Sequence, residues 1–71
     1  MVEVGQRMKF IPCWDYSSKD TAQEKKNKII TGVVVKVNAK HLIFFCEYDH
    51  YGPKQIESFK FQDIGNTVWR V

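Results

Sequence analysis

Two apolar segments with a short polar stretch between them dominate the middle of the chain. Residues 29–37 are almost wholly β-branched, which is typical of a β-strand. Asn38-Ala39-Lys40 interrupts the apolar pattern, and asparagine readily bonds to nearby backbone in a turn. Residues 41–49 are again rich in large apolar side chains. The pattern predicts a β-hairpin with its turn at residues 38–40.

The period-two spacing of side chains in a strand predicts which face of this hairpin is buried. On the return strand the opposite face mixes apolar with charged groups. Ile43 and Phe45 on that face are therefore expected to be exposed, or covered by a loop or a partner. The predicted core consists of Val33, Val35, Val37, Phe44, Cys46, Tyr48 and Phe59.

Outside the hairpin, the pattern predicts three further strands and one helical turn. Met8 and Phe10 share one face of the first strand, and the Gly and Pro of residues 51–54 favour a turn before the fourth. Gly65 is suited to closing a tight helical turn. The predicted bounds are Gln6–Trp14 for the first strand, Gln55–Phe61 for the fourth, Gln62–Asn66 for the helical turn and Thr67–Val71 for the last strand.

The segment between the first two strands is polar throughout residues 17–28 and is predicted to be a long loop. Thr21 and Glu24 have the spacing of a capping box, which begins a single helical turn. The segment has no apolar face to hold a helix against a core.

With 71 residues, the chain is expected to form one domain over residues 1–71 with a net stability of only a few kcal/mol. Its 44% apolar and 14% aromatic content is that of a globular chain rather than a disordered one. No apolar run approaches the roughly 18 residues of a membrane span, and the first ten residues lack the apolar stretch of a secretory signal. We therefore expect a cytoplasmic protein with no membrane partner and with both cysteines reduced.

The order of these elements resembles the Src-homology-3-like (SH3-like) small β-barrel, a group that includes KOW and Tudor modules and many short proteins of bacterial mobile elements. The resemblance covers nearly the whole chain. It rests on VGQRMKF before a long first loop, TGVVVKVN followed by a return strand, and ESFKFQDIG as a fourth strand entering a helical turn. It implies an all-β fold: a small five-stranded SH3-like barrel with a long polar first loop and a single helical turn before the last strand.

The many Lys, Asn and Ile residues and the small size are also similar to those of short phage or prophage proteins, including anti-CRISPR inhibitors. Such proteins commonly occupy a surface of a host nuclease without any chemistry. This resemblance implies a bacterial host cell and a nucleic-acid-processing enzyme as partner. The chain departs from barrels that bind proline-rich peptides, because it lacks their acidic cluster beside paired tryptophans.

The residue inventory disfavours an enzyme. A cysteine nucleophile would need a neighbouring histidine, but Cys46 lies on the face predicted to be buried, where a thiol is an inert small hydrophobe. The four glycines are too widely separated to form a phosphate-binding loop. We therefore predict no catalytic residue.

Zinc is the cofactor hypothesis that the cysteines and histidines support. Cys46 and His50 lie at the end of one predicted strand. Cys13 and Asp15 lie at the end of another, so the two pairs form a site if these strand ends converge. The spacing is not the paired C-x-x-C of a strong zinc motif, and His41 is on the face opposite Cys46. A small zinc-stabilised structural domain is thus the alternative to a domain that requires no cofactor.

The net charge of +3 and the pI near 9.0 admit an anionic partner without requiring one. Aromatic rings near strand ends and in loops, together with the densest group of lysines, are the candidate contacts. We favour a protein partner over direct binding of DNA or RNA, because the charge is mixed and the candidate exposed groups are apolar. The candidate partner-binding residues are Trp14, Tyr16, Lys25, Lys26, Lys28 and Tyr51.

Overall fold

The computed structural model describes all 71 residues and forms one antiparallel sheet with short helical segments in the connections. The strands are β1 (Arg7–Phe10), β2 (Ile30–Asn38), β3 (Ile43–Asp49), β4 (Lys54–Lys60) and β5 (Val68–Arg70). Their order across the sheet is β4-β3-β2-β1-β5, and the sheet is not closed, so β4 and β5 are its edges. The prediction of a mainly β fold with five strands is confirmed.

The inner face of the sheet carries the large apolar side chains that the pattern predicted for β3 and β4. Phe44, Cys46 and Tyr48 are buried and alternate with more exposed neighbours along β3. Phe59 on β4 is paired with Phe44 and packs against it. The buried apolar residues are Val2, Met8, Phe10, Val34, Phe44, Cys46, Tyr48, Phe59 and Val68.

The predicted inward face of β2 is wrong in its first half. Val33 and Val35 are 41% and 38% exposed, whereas Val34 between them is fully buried. The register with β3 shifts between Val34 and Lys36, which marks a β-bulge. The extra residue changes the phase of the strand, so Val34 before it and Val37 after it both pack on the core. A strict alternation along β2 could not predict this change of phase.

Gly32 on β2 allows a close approach between the sheet and the ring of Phe10. A Cβ at Gly32 would lie 2.9 Å from Cε1 of Phe10 and 2.9 Å from the carbonyl oxygen of Glu47. This position therefore excludes any larger residue unless the ring or the backbone moves. The Phe10 ring in turn contacts the rings of Phe59 and Tyr48, at centroid distances of 4.8 and 5.6 Å.

The β2–β3 turn uses the asparagine as the sequence predicts. Oδ1 of Asn38 accepts a hydrogen bond from the backbone N–H of His41 at 3.2 Å. The left-handed backbone is at Leu42, with φ of 56°, while Asn38 itself is the last residue of β2. The turn is therefore slightly longer than predicted.

The connection from β1 to β2 contains two helical segments where the sequence predicted a strand end and a polar loop. β1 stops at Phe10 rather than Trp14, because Pro12 has no N–H to donate and a 3₁₀ helix (Cys13–Asp15) follows it. Helix α1 (Ala22–Asn27) begins with the predicted capping box of Thr21 and Glu24. No residue of α1 is buried, so its cap rather than an apolar face stabilises it. Neither α1 nor any other helix of the structure has the length and apolar character needed to cross a membrane.

The predicted helical turn before the last strand is present and begins one residue earlier. A 3₁₀ helix (Phe61–Asp63) directly follows β4. Gly65 then reverses the chain with φ of 96°, a conformation that favours glycine. An isolated parallel bridge between Ile64 and Val68 joins this connection to the start of β5.

Truncation of the core tests this packing. We expect Phe44→Ala to lower the free energy of unfolding by about 3 to 5 kcal/mol, enough to unfold most of so small a domain. Val33→Ala, on the outer face, is the control and should cost within about 0.5 kcal/mol. Thermal or urea unfolding measures both. If Val33→Ala lowered the free energy of unfolding as much as Phe44→Ala, Val33 would lie in the core and the strictly alternating register would be correct.

Candidate binding surfaces

Three rings pack together at the surface near the end of β3, and we call Trp14, His50 and Tyr51 the aromatic cluster. The ring centroid of His50 lies 4.4 Å from that of Trp14 and 4.5 Å from that of Tyr51. Nε1 of Trp14 donates a hydrogen bond to the phenol oxygen of Tyr48 at 3.0 Å. Trp14 and Tyr51, two predicted partner-binding residues that are distant in sequence, therefore both contact His50. The sequence predicted this histidine as a zinc ligand.

The β3–β4 turn holds two of these rings in place. The backbone N–H of His50 donates to the carbonyl of Pro53 at 2.8 Å, and an ion pair between Asp49 and Lys54 of 2.9 Å joins the flanking strands. Tyr51 has φ of 53°, which is uncommon for a bulky side chain. It is 91% exposed, and Trp14 is 52% exposed. The aromatic cluster therefore presents apolar ring surface to solvent from a hydrogen-bonded turn.

Tyr48 connects the aromatic cluster to the core. Its ring is buried and meets the ring of Phe10 edge to face. Burial raises the pKa of the Tyr48 phenol because the phenolate would lose its hydration, and the hydrogen bond from Trp14 offsets part of that rise. The phenol is consequently neutral at physiological pH and accepts the indole hydrogen bond.

A second surface feature, which we call the loop groove, runs between the β1–β2 connection and the β4–β5 connection. It consists of two adjoining cavities of about 330 and about 410 Å³. Both cavities are lined by Ile11, Tyr16, Phe59 and Thr67. Lys25 and Lys26 line only the first cavity, whereas Glu57 and Asp63 line only the second. The loop groove therefore has an apolar middle, a basic end and an acidic end.

The three lysines predicted to contact a partner have different environments. Lys25 and Lys26 line the loop groove, and Nζ of Lys25 lies 5.7 Å from the ring centroid of Tyr16. Lys28 instead forms an ion pair and hydrogen bond with Asp20, and this bond raises the pKa of Lys28. Lys28 thus closes the long first loop, because its partner precedes α1 and the lysine follows it.

The structure does not bring the predicted zinc ligands together. No group of three or more His, Cys, Asp or Glu side chains is placed to hold a metal ion. Cys46 is fully buried, and burial raises the pKa of its thiol to about 11. Asp15 faces Lys28 at 3.7 Å, and His50 packs on Trp14. Zinc binding stays a prediction, and the fold supplies no formed site for it.

Glu57 organises the start of the first loop, and sequence reasoning missed this role. Its Oε1 accepts a hydrogen bond from the backbone N–H of Cys13 at 2.8 Å. The interaction with the same carboxylate raises the pKa of the exposed Cys13 thiol. His41, the remaining zinc candidate, is exposed in the β2–β3 turn. The other groove residues that the sequence did not mark are Ile11, Ala22, Ile29, Ser58, Asp63, Asn66, Thr67 and Trp69.

Comparison of the chain with protein-family models, with curated proteins and with solved structures gives no match. The functional interpretation therefore rests on the residues and the geometry of this chain.

The variant Trp14→Phe tests the contact between the aromatic cluster and the core. Phenylalanine keeps a ring beside His50 but cannot donate to Tyr48. We expect the pKa of the Tyr48 phenol to rise further, because the phenolate loses the donor that stabilises it. Titration of the tyrosine Cζ signals by NMR measures this pKa, with Tyr16 as internal reference. An unchanged Tyr48 pKa would show that the indole does not bond to it in solution.

Proposed function

We propose that this protein is a non-catalytic binding module that docks on a protein partner through the aromatic cluster. The observation that supports the proposal is the packing of the half-exposed Trp14 ring, in a tilted arrangement, and of the exposed Tyr51 ring, edge-on, against His50. Tryptophan and tyrosine are the side chains that most often dominate the energy of protein interfaces, since each offers a large apolar area and a polar group.

One ring of the aromatic cluster, that of Trp14, is held in place before any partner arrives. Trp14 is fixed by its bond to Tyr48, so little side-chain entropy remains to be lost on binding. The strained φ of Tyr51 alone does not identify a site, because Leu42 in the other hairpin turn has φ of 56° and is also exposed. What distinguishes Tyr51 is that its ring contacts His50, which in turn packs on Trp14.

The charges near the aromatic cluster favour a protein over a nucleic acid as the partner. Lys54 on this turn is neutralised by Asp49, and the hydrogen bond between them raises the pKa of Lys54. A phosphate backbone binds through clusters of unpaired Lys or Arg, which the three rings do not have beside them in this turn. Apolar rings with a balanced ion pair are instead typical of a protein interface.

An SH3-like barrel is the architecture we propose for this module. The strand order β4-β3-β2-β1-β5 and the 3₁₀ helix between β4 and β5 support it. The resemblance to short phage and mobile-element proteins makes a host nuclease the first partner to test, with the protein acting as an anti-CRISPR-type inhibitor that occupies a surface.

Paired variants in the two hairpin turns test the docking surface. Tyr51→Ala removes an exposed ring at φ of 53°, and Leu42→Ala removes an exposed side chain at φ of 56°, so the backbone cost is matched. Immobilised wild-type protein should capture a partner from a lysate of the source cell that resists nuclease treatment. We expect Tyr51→Ala to weaken the purified complex by about 2 kcal/mol, which is about thirtyfold in Kd, and Leu42→Ala to leave it unchanged.

Two outcomes would contradict this function. Loss of the captured material on nuclease treatment would point to direct binding of DNA or RNA. Equal affinity of the wild type and Tyr51→Ala for the captured protein would exclude the aromatic cluster as its docking surface.

A further inference from the structure

We propose that the loop groove is a second binding site, which takes an extended peptide segment with an acidic residue at one end, aliphatic residues in the middle and a basic residue at the other end. None of the aromatic cluster residues lines this groove, so the site is independent of the proposed docking surface. We infer the chemistry of this peptide from the apolar middle of the groove and from the opposite charges of its two ends.

The middle of the loop groove suits aliphatic side chains. Ile11, Tyr16 and Phe59 line both cavities, and Ile29 and Trp69 extend the apolar wall towards the basic end. The cavity of about 330 Å³ at this point is at the lower end of the range of ligand sites. It therefore accommodates a short stretch of chain with one or two side chains rather than a folded surface.

The basic end is formed by lysines that have no acidic partner within the protein. Lys25 and Lys26 form no ion pair, whereas Lys28 and Lys54 are each paired with an aspartate. Lys25 is held near the ring of Tyr16, a cation–π arrangement that keeps its charge beside the apolar wall. An acidic side chain of the peptide would give these two lysines the partner that they lack.

The acidic end is similarly without a basic partner. Oε1 of Glu57 accepts from the backbone N–H of Cys13, and Oδ2 of Asp63 accepts from the backbone N–H of Lys60. Neither carboxylate forms an ion pair with a lysine or an arginine. A basic side chain of the peptide would give these two carboxylates the partner that they lack.

The acidic end also decides between a peptide and a nucleic acid. Single-stranded DNA or RNA would stack its bases on Tyr16 and Trp69 and place phosphates at the lysines. Its next phosphates would then meet Glu57 and Asp63, and this repulsion opposes a polyanion along the whole groove. A peptide whose charges change sign along its length avoids that conflict.

Three hexapeptides and one oligonucleotide test the site in amide NMR titrations of the full chain. The peptides are EELVRR, the wholly acidic EELVEE and the wholly basic RRLVRR, and the oligonucleotide is oligo-dT. We expect EELVRR to bind saturably with a Kd of about 1 mM or lower, and to bind about tenfold more tightly than either uniform peptide. Its shifts should lie on Tyr16 and Trp69 and should leave Tyr51 unmoved.

A charge reversal in the basic end provides the decisive variant. Lys25→Glu with Lys26→Glu makes both ends acidic, so RRLVRR should become the preferred peptide by about tenfold. The matched control is Lys19→Glu with Lys40→Glu, which changes the net charge equally but involves no groove residue, and it should retain the preference for EELVRR. Circular dichroism confirms that both variants are folded.

The proposal is overturned if EELVRR does not saturate, if EELVEE binds as tightly, or if the charge reversal leaves the preference unchanged. Tighter binding of oligo-dT with shifts at Lys25 and Lys26 would replace the peptide with a nucleic acid. These outcomes are separate from failure of the docking surface, because that failure is read from Tyr51→Ala and the captured partner.

Discussion

The contact between the Phe10 ring and the backbone of Gly32 is the constraint on which the rest of this domain depends. Phe10 occupies the space that a side chain at Gly32 would fill, and it lies so close that a Cβ there would be 2.9 Å from the ring. From that position the ring meets Tyr48 on β3 and Phe59 on β4. A domain of this size has few such contacts, so each one carries a large share of its stability.

Both candidate surfaces are built on the neighbours of that ring. Tyr48 contacts the Phe10 ring and accepts a hydrogen bond from the indole of Trp14. The rings of Trp14 and Tyr51 both contact His50. Phe59 extends in the other direction and lines both cavities of the loop groove. The long first loop joins the two surfaces, because its 3₁₀ helix supplies Trp14 and its later part supplies Lys25 and Lys26. Glu57 and the Lys28 ion pairs close this loop at its two ends.

The features that the sequence predicted correctly are those set by local chemistry. Alternation along β3, the capping box at Thr21 and the turn chemistry of Asn38 each depend on residues within a few positions of one another. The exposed Val33 and Val35 were placed in the core because a bulge is not visible in an alternating run of valines. The bulge depends on how β2 pairs with β3 rather than on β2 alone.

The candidate surfaces were only partly predictable for a related reason. The sequence predicts Trp14 and Tyr51 as two separate exposed rings, but their contacts with His50 depend on the return of the first loop to the end of β3. Lys25 and Lys28 belong to the same lysine-rich segment, yet Asp20 pairs with Lys28 and not with Lys25. The acidic end of the loop groove gave no signal, because Glu57 and Asp63 are distant in sequence from the lysines at the other end of the groove.

The variant Gly32→Ala measures the central constraint directly, through its melting temperature and the indole N–H signal of Trp14 in NMR. At a strand position with space for a methyl group, replacing glycine by alanine raises the free energy of unfolding by about 0.5 to 1 kcal/mol. We predict the opposite sign, with a lower melting temperature and a shifted Trp14 signal, because the new methyl group must displace Phe10 and with it Tyr48. Thr31→Ala, on the exposed neighbouring residue, should leave the Trp14 signal in place. A Gly32→Ala protein that melts at the same or a higher temperature with an unmoved Trp14 signal would contradict the dependence of the aromatic cluster on this contact.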